Sequence, residues 1–317
     1  MHRTVSTIRV PRGPELTVIE VSSERPGPVV AVTANVHGDE STGVAAVHRL
    51  DQWLRGALQA GRVLLFPSLN PAGLRASLRE VPGGSDLNRA FPGNDRGGPA
   101  ARLADVVWRF LHDRGVGALI DLHADSSVSV PYAIVDRSAR LPAGERGSMD
   151  AQLEALAEAS GLLVLREYPD DEYLRFVLDQ SLAGAMVNHA SVPAITIESG
   201  PRRAVDADAV STTVTAVQGM LGKLGVCATS VERHRTRVDG GPWRRGASPR
   251  AKEAGVFVPS IAPGTRFRAG DALGEIRALS GELLEQVRAQ TDGIVISWMD
   301  GCWVDARGVT GTLGLRE

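Results

Sequence analysis

The 317-residue sequence contains only two cysteines, Cys227 and Cys302, and only two lysines, Lys223 and Lys252. Two cysteines so far apart in the chain are too few for a thiolate zinc site or a disulfide framework, and this scarcity is typical of a reducing cytoplasm. Any metal site must therefore be built from histidines and carboxylates. Seven histidines are available, and 33 of the 35 basic residues are arginine (35 − 2).

Long apolar segments and an excess of one charge are also missing. The longest purely apolar stretches, such as residues 29–32, are far shorter than the roughly 20 residues that span a bilayer. Residues 1–13 lack the continuous apolar segment of a secretory signal. The net charge of −2 provides no basic field for nucleic acid or an anionic membrane. We therefore expect a cytoplasmic protein that binds neither nucleic acid nor a membrane.

Up to about residue 225, short apolar runs alternate with amphipathic stretches of helical period. This alternation predicts an α/β fold with a mixed, largely parallel central sheet and helices on both faces. Strands are predicted over residues 29–34, 63–66, 118–122 and 194–197. Helices are predicted over residues 42–60, 100–114, 150–160, 178–189 and 206–224.

The pattern changes after Gly225. Residues 232–250 hold six arginines among glycine and proline without an apolar period, which predicts a linker or an extended edge segment. From Gly255 onward, short β-like runs are separated by glycine and aspartate turns. We therefore predict two domains, residues 1–230 and residues 231–317, of which the second is small and all-β.

The first chemical motif is the segment 35–40, Asn-Val-His-Gly-Asp-Glu, between a predicted strand and a predicted helix. His37 and Glu40 lie three residues apart. At a strand-to-helix turn, this spacing can direct an imidazole nitrogen and a carboxylate at one point, as a first-row metal requires. A His-x-x-Glu pair is common by chance, however, and an ordinary surface loop is the commoner explanation of this motif alone.

A second histidine, His123, follows the predicted strand 118–122. In open α/β sheets, ligands bind outside the carboxyl ends of the strands. His37, Glu40 and His123 would meet there as the two-histidine, one-carboxylate set of catalytic zinc, with an open fourth position. Asp121 shares the strand face of His123 and is a candidate hydrogen-bond acceptor for its ring. A buried aspartate paired with an arginine explains Asp121 equally well.

Glu198 stands at the end of the fourth predicted strand. A glutamate beside a metal-activated water can take its proton and later deliver it to a leaving amine. A helix-capping or salt-bridged glutamate is the structural alternative.

A long loop follows the predicted strand 63–66, and long ordered loops are usually functional. Asn88 and Arg89 offer an amide and a guanidinium, which together suit a substrate carboxylate. Arg79 is a candidate for polarising the scissile carbonyl and stabilising its oxyanion. With 33 arginines in the chain, a solvated surface charge is the alternative for each of them.

Four blocks occur in order along the chain: residues 37–40 (His-Gly-Asp-Glu), 86–93 (Asp-Leu-Asn-Arg-Ala-Phe-Pro-Gly), 121–123 (Asp-Leu-His) and 196–200, which contains Glu198. Together they resemble the succinylglutamate desuccinylase/aspartoacylase family, a branch of the zinc carboxypeptidase clan. The resemblance covers roughly residues 25–225. The predicted β domain is also similar to the C-terminal domain of that family.

The resemblance implies a zinc-carboxypeptidase-like fold with a barrel-sandwich-like C-terminal domain. It also implies one zinc ion per chain and a water that attacks the amide of a small N-acyl amino acid. The implied roles are metal ligation by His37, Glu40 and His123, catalysis by Glu198 and Arg79, and binding of the substrate carboxylate by Asn88 and Arg89. Tyr132, Tyr168 and Tyr173 lie outside the matched blocks and receive no role.

Several other functions are disfavoured. The sequence has no Gly-x-Ser-x-Gly elbow, no Walker loop and no Gly-x-Gly-x-x-Gly after a strand. A lipoyl-type carrier needs a lysine at a hairpin tip, but Lys252 precedes the first strand of the β domain. Three candidates remain: a deacylase of small N-acyl amino acids, a metallocarboxypeptidase acting on short peptides, and a non-catalytic binding protein. A β domain that shields the cleft favours the deacylase. The oligomeric state stays open, a homo-oligomer included.

Overall fold

A computed structural model describes residues 1–228 and 242–316 of the chain. In the first range, strands alternate with helices. The strands are β1 (His2–Arg9), β2 (Glu15–Ser22), β3 (Val29–Ala34), β4 (Arg62–Phe66), β5 (Ala118–His123), β6 (Val128–Ser129), β7 (Tyr132–Val135), β8 (Leu163–Arg166) and β9 (Ala194–Glu198). The helices are α1 (Thr42–Ala57), α2 (Pro71–Ala76), α3 (Pro99–Asp113), α4 (Ala143–Ala159), α5 (Asp170–Arg175), α6 (Leu182–Ala190) and α7 (Ala207–Lys223). Two short 3-10 turns are Leu87–Arg89 and Leu178–Gln180.

The second range is all-β. Its strands are β10 (Trp243–Ala247), β11 (Gly255–Pro259), β12 (Arg266–Phe267), β13 (Ala272–Arg277), β14 (Leu283–Arg288), β15 (Gly293–Trp298), β16 (Trp303–Val304) and β17 (Gly311–Arg316). No helix in the described ranges is both long enough and apolar enough to cross a lipid bilayer.

Within the described residues, one large mixed sheet follows the order β1-β2-β4-β3-β5-β9-β7-β8-β10-β17-β15-β12, and β6 pairs with β15. The central strands β4, β3, β5 and β9 run parallel, whereas β7 is antiparallel to β9. Helices cover both faces, so the central strands are buried and rich in valine, leucine and isoleucine. The predicted α/β class is confirmed, and the carboxyl ends of β3, β5 and β9 meet at one edge.

The four predicted strands are present, but β1, β2, β7 and β8 were not predicted. β1 is almost wholly exposed and so shows no buried face, while β7 and β8 are only four residues long. The predicted helix 178–189 is wrong in one respect, because it is divided at Ser181. The backbone of Ser181 is extended, and its hydroxyl accepts a hydrogen bond from the Gly184 amide, which starts α6 as an N-cap.

The C-terminal strands form two layers. β14, β13, β11 and β16 make a separate antiparallel sheet, while β10, β12, β15 and β17 continue the large sheet. A common apolar core lies between the layers and includes Phe257, Leu273, Ile276, Val295, Trp298 and Leu313. This arrangement agrees with the predicted small all-β unit.

The predicted linker, residues 232–250, falls partly outside the described residues, as does the proposed domain boundary at residue 230. Its described part contains β10, which lies inside the large sheet between β8 and β17 and is not an edge. The arginines of β10 suggested solvent exposure, but Arg245 donates a hydrogen bond to the buried Glu167. The prediction of a linker or edge segment is therefore wrong for β10.

Candidate active site

The turn after β3 is held by the side chain of Asn35. Asn35 has a left-handed backbone, with φ of 57°. Its Nδ2 group donates to the carbonyl oxygens of His37, Gly38 and Glu40 at 2.8, 3.1 and 3.1 Å. A Cβ atom on Gly38 would overlap the backbone of Gly73, so only glycine fits this close approach. These contacts explain why the polar segment 35–40 adopts one compact conformation.

The three predicted metal ligands meet at the carboxyl ends of β3 and β5. Nδ1 of His37 lies 2.8 Å from Oε1 of Glu40, and Nδ1 of His123 lies 2.8 Å from Oε2 of Glu40. One donor atom from each of the three residues lies within 4.8 Å of the others. All three side chains are buried. The parallel pairing of β3 with β5 brings these residues together, although they are distant in the sequence.

The other ring nitrogen of each histidine faces a further carboxylate. Nε2 of His123 is 2.8 Å from Oδ2 of Asp121, and Nε2 of His37 is 3.2 Å from Oδ1 of Asp86. Thr33 donates to the other oxygen of Asp121 at 2.7 Å. Asp121 thus pairs with the histidine and not with an arginine. The contact of Asp86 was not predicted, although Asp86 belongs to the 86–93 block.

These contacts allow a test of whether the residues fit a metal ion. Nδ1 of His37 lies 3.2 Å from Arg79 NH1, which can only donate, and 2.8 Å from Oε1 of Glu40, which can only accept. One protonation state of this nitrogen can satisfy only one of the two contacts. A divalent cation between Nδ1 and Oε1 removes this conflict and matches the preference of zinc for imidazole and carboxylate. The donor set therefore fits zinc.

The electrostatics of the ligand cluster agree with this fit. Burial by itself would lower the pKa of His123, but Asp121 and Glu40 outweigh it and raise the pKa well above its usual value. Burial by itself would raise the pKa of Glu40, but His37 and His123 outweigh it and lower the pKa. Glu40 therefore stays ionised and draws positive charge into the cluster.

Glu198 lies beside the ligand cluster. On β9 it stands opposite His123 of β5 on one side and opposite Tyr132 of β7 on the other. Its Oε2 atom is enclosed and has no hydrogen-bond partner among the described residues. Burial raises the pKa of Glu198 to about 8. A cation bound nearby would lower that pKa again, which leaves a carboxylate able to accept and return a proton near neutral pH.

Arg79 reaches the same cluster from the loop after α2. Its guanidinium lies 3.5 Å from Oε1 of Glu40 and 3.2 Å from Oδ2 of Asp86. The backbone amide of Gly38 donates to the carbonyl of Arg79 at 3.1 Å, which ties this loop to the turn that carries His37. Arg79 is partly exposed and faces the cavity that the ligand cluster borders.

Asn88 and Arg89 follow in the 3-10 turn. Oδ1 of Asn88 accepts a hydrogen bond from the Leu182 amide at 2.8 Å, so its Nδ2 group is the free donor. Arg89 NH1 donates to the carbonyl of Asn88 at 2.6 Å. Burial lowers the pKa of Arg89, and Asp86 opposes this shift. Arg89 forms no salt bridge with any residue in the described ranges.

All seven predicted site residues border one cavity of about 270 Å³. Ten further residues complete its wall: Ala124, Asp125, Ile134, Asp136, Glu167, Leu178, Ser181, Thr196, Arg202 and Arg245. Asp136, Glu167, Arg202 and Arg245 are charged members of this second set and lie in no motif of the sequence. Asp136 follows β7, Glu167 follows β8, and Arg202 follows β9.

The C-terminal strands contribute directly to this cavity. Arg245 of β10 donates to Oε1 of Glu167 at 2.7 Å, and its guanidinium lies 5.6 Å from the centre of the Tyr168 ring. Asp300 follows β15 and accepts from Arg202 at 3.0 Å and from the Ser127 amide at 2.6 Å. Asp300 thus joins the loop after β5 to the loop after β9, and Arg202 of the second loop borders the cavity.

Comparison with known proteins agrees with this architecture. The family of succinylglutamate desuccinylase/aspartoacylase catalytic domains matches residues 26–224. The N-alpha-acetyl-L-2,4-diaminobutyric acid deacetylase of Halomonas elongata is 33% identical over 124 residues, which are 38% of this chain and 36% of that protein. The match therefore spans only about a third of that relative.

Two solved structures share the fold. An aspartoacylase family protein from Mesorhizobium loti has a TM-score of 0.81 at 22% identity, over 99% of this chain and 95% of that one. A metallo-carboxypeptidase from Burkholderia cenocepacia has a TM-score of 0.55 at 17% identity, over 70% and 64% of the chains. The family match covers more than half of the sequence and includes all four motif blocks. The chain belongs to the succinylglutamate desuccinylase/aspartoacylase family.

Proposed function

We propose that this protein is a zinc-dependent amidohydrolase that removes the acyl group from a small N-acyl amino acid. The observation that carries this proposal is the convergence of His37, Glu40 and His123 beside the unpartnered carboxylate of Glu198. Three protein ligands with an open fourth position are typical of catalytic zinc, whereas structural zinc sites are closed by four protein ligands. The proposal includes a cytoplasmic location and no nucleic-acid or membrane partner.

When bound by this set, zinc acts as a Lewis acid and lowers the pKa of a water ligand. Glu198 accepts a proton from the attacking water and returns it to the nitrogen of the leaving amine. Arg79 stabilises the negative charge that develops on the amide oxygen. Asp121 and Asp86 hold the two imidazole rings in the tautomer that directs Nδ1 at the ion.

The carboxylate of the substrate is assigned to Asn88 and Arg89. The Nδ2 group of Asn88 and the guanidinium of Arg89 both border the cavity that the ligand cluster also borders, and Arg89 forms no salt bridge with a described residue. A guanidinium binds a carboxylate through two parallel hydrogen bonds and so orients it as well as attracting it. This anchor would place the N-acyl bond, which is adjacent to the α-carboxylate, over the ligand cluster.

A metallocarboxypeptidase acting on short peptides is the second candidate, and the fold shared with the Burkholderia enzyme favours it. The C-terminal segment argues for the deacylase, because Arg245 forms part of the cavity wall and Asp300 holds Arg202, another residue of that wall. We propose that residues 231–317 shield the cleft and exclude long peptides. If the purified protein trimmed long peptides as fast as it cleaved N-acyl amino acids, this shielding would be disproved.

The decisive experiment is a screen of N-acyl amino acids for amine release by metal-free protein, with and without added zinc. Activity that depends on zinc is expected. His123→Ala should lose the ion in elemental analysis, whereas His48→Ala, on an exposed position of α1, should retain it. Zinc-independent activity, or full zinc content in His123→Ala, would contradict the assigned ligand set. A protein that binds zinc but cleaves no substrate of the screen would point to the non-catalytic alternative.

A further inference from the structure

A further carboxylate, that of Asp125, borders the cavity beside Glu198. Asp125 stands two residues after His123, the last residue of β5, and Glu198 lies opposite His123 on the neighbouring strand β9. Burial is the main cause of the raised pKa of Glu198, and the charges of Glu40 and Asp125 add to it. The side chain of Asp125 therefore lies close to the proposed general base, but no step of the proposed hydrolysis uses it.

The hydroxyl group of Tyr132 holds Asp125 in place. It donates to Oδ2 of Asp125 at 2.9 Å. Tyr132 is fully buried and lies opposite Glu198 in the antiparallel pairing of β7 with β9, so it is anchored in the central sheet. The second oxygen of Asp125, Oδ1, accepts no hydrogen bond from any residue in the described ranges. One oxygen is thus held by the protein, and the other can accept a hydrogen bond from a ligand.

Asp125 also lies near the proposed anchor of the substrate carboxylate. Burial would lower the pKa of Arg245, but Glu167 and other neighbours, Asp125 among them, outweigh it and raise the pKa. Burial lowers the pKa of Arg89, and Arg245 lies close enough to lower it further. Asp125 therefore stands close both to Glu198 and to the part of the cavity where the two arginines meet.

An N-acyl amino acid bound as proposed has its nitrogen between these two parts of the site. Its scissile carbonyl lies at the ligand cluster, and the carbon next to the nitrogen carries the carboxylate that Arg89 binds. The N–H group of the amide then needs an acceptor. The groups already assigned to the substrate, the guanidinium groups of Arg79 and Arg89 and Nδ2 of Asn88, can only donate.

Asp125 is better placed to accept this hydrogen bond than the other carboxylates of the wall. Both oxygens of Glu167 already accept hydrogen bonds from other protein groups. Asp136 follows β7 four residues beyond Tyr132, the residue opposite Glu198. Four residues of an extended strand span roughly 13 Å, which places Asp136 far from the breaking bond.

A carboxylate on the N–H group would also assist the chemical step. As the C–N bond breaks, the nitrogen becomes pyramidal, and its lone pair takes the proton that Glu198 received from the water. An acceptor that holds the N–H group on one side turns this lone pair toward Glu198 on the other. The nitrogen gains positive charge as it is protonated, so the contact is stronger in the transition state than in the bound substrate.

We propose that Asp125 accepts a hydrogen bond from the N–H group of the scissile amide, and that Tyr132 positions Asp125 for this contact. The inference rests on the proposed function. Asp125 forms no covalent bond and transfers no proton. An amide N–H is a neutral donor, so this role does not require a carboxylate without a counter-charge. The contact favours amides over esters of the same shape, since an ester has an oxygen in place of the N–H group.

The first test measures binding of two inhibitors that differ in one group. In one, a methylphosphonyl group is joined to the nitrogen of alanine, and in the other it is joined to the oxygen of lactate. Titration calorimetry with the zinc-loaded natural protein gives both Kd values. The N–H compound should bind about tenfold more tightly or better, the usual gain from a hydrogen bond to a charged group. Equal Kd values would overturn the inference.

Variants test the two residues. Asp125→Ala should abolish the difference between the two inhibitors, and Tyr132→Phe should reduce it several-fold, because the carboxylate stays but is no longer held. Both inhibitors are measured on one preparation, so a loss of folded protein does not change the ratio of their Kd values. A ratio that survives in Asp125→Ala would disprove the role of Asp125, and an unchanged ratio in Tyr132→Phe would disprove the positioning role of Tyr132.

Asp51→Asn is the control, because Asp51 is a buried aspartate on α1 that is held by Arg3 and Arg55. It should retain the full preference for the N–H inhibitor. A similar loss in Asp51→Asn would show that the ratio reports general damage to the fold and would remove the support for Asp125.

Kinetics test the same contact during the reaction. In Asp125→Ala, kcat/KM for N-acetylalanine should fall about 10- to 100-fold, mostly through kcat, whereas hydrolysis of the matched ester O-acetyllactate should change little. An equal loss on both substrates would contradict the contact with the N–H group.

The binding data separate this inference from the proposed function. A preference for the N–H inhibitor that depends on Asp125 supports the inference even if no amide is cleaved. If amides are cleaved but the two inhibitors bind equally well, the hydrolase proposal stands and the role of Asp125 is rejected.

Discussion

Oδ2 of Asp121 lies 2.8 Å from Nε2 of His123, and both residues belong to β5. Two-residue spacing on a strand directs both side chains to one face, so the pair is formed within a single element. The carboxylate holds the ring with Nδ1 toward Glu40. Partners of this kind set the tautomer and the basicity of a metal-binding histidine.

Replacing Asp121 by asparagine should weaken zinc binding about 10- to 100-fold, the usual effect of losing such a partner. The amide oxygen of Asp121→Asn can still accept from the ring, but its negative charge is lost. Competition with a chromogenic chelator measures the change. Asp51→Asn serves as the control and should bind zinc as the natural protein does. Unchanged affinity in Asp121→Asn would show that the ring needs no charged partner.

Glu198→Gln should retain zinc and lose about 100- to 10,000-fold in kcat, because the amide cannot accept the proton of the attacking water. Elemental analysis and steady-state kinetics on the same preparation separate metal content from activity. The glutamine is nearly isosteric with the natural side chain, so folding should be retained. Activity equal to that of the natural protein would rule out Glu198 as the general base.

Arg89→Ala should lower kcat/KM by about 10- to 100-fold for substrates with a free α-carboxylate, mostly through KM. Substrates whose carboxylate is blocked as an amide should be affected little, since they cannot use the guanidinium charge. Arg96→Ala, an exposed position of the same loop, is the control. An equal loss on both substrate types would remove the assignment of Arg89 to the carboxylate.

Asp136 should also make the stability of the free protein depend on pH. Burial raises its folded pKa to about 7, above the ordinary value of 3.8, so the folded state binds this proton more tightly than the unfolded chain does. Below about pH 4 both states are protonated and no effect is expected. As the pH rises from 4 to 7, the carboxyl group ionises first in the unfolded chain. The free energy of unfolding therefore falls by up to roughly 1.4 kcal/mol per pH unit.

Asp136→Asn cannot ionise and should escape this loss. Its free energy of unfolding should rise relative to that of the natural protein between pH 4.5 and pH 7, and the difference should level off above pH 7. Urea unfolding at pH 4.5, 6 and 7.5 measures it. A constant difference across this range would mean that Asp136 titrates like an exposed carboxyl group.

Much of the ligand cluster was predictable because its residues stand at the ends of apolar strands. His123 and Glu198 end β5 and β9, and His37 and Glu40 follow β3. Parallel strands bring their carboxyl ends to one edge, so local patterns of apolar residues were enough to group these four side chains. Because β1, β7 and β8 lack a strong apolar pattern, they were not predicted.

Other charged residues of the cavity wall had no such signal in the sequence. Asp136, Glu167 and Arg245 each follow or lie in a short strand, and in the sequence they appear as ordinary charged residues. Arg245 even belonged to a segment predicted as a linker. Its position depends on the parallel pairing of β10 with β8, which joins segments about 80 residues apart (245 − 167 = 78).

The α/β class, the four residues that we propose bind the metal and transfer the proton, and the loop that carries Asn88 and Arg89 were all predictable from the sequence. Each of these predictions depends on apolar periodicity or on a short local motif. The pairing of charges in the cavity wall could not be predicted in this way. It depends on strand order, because β8 and β10 pair in parallel, which places Arg245 on Glu167.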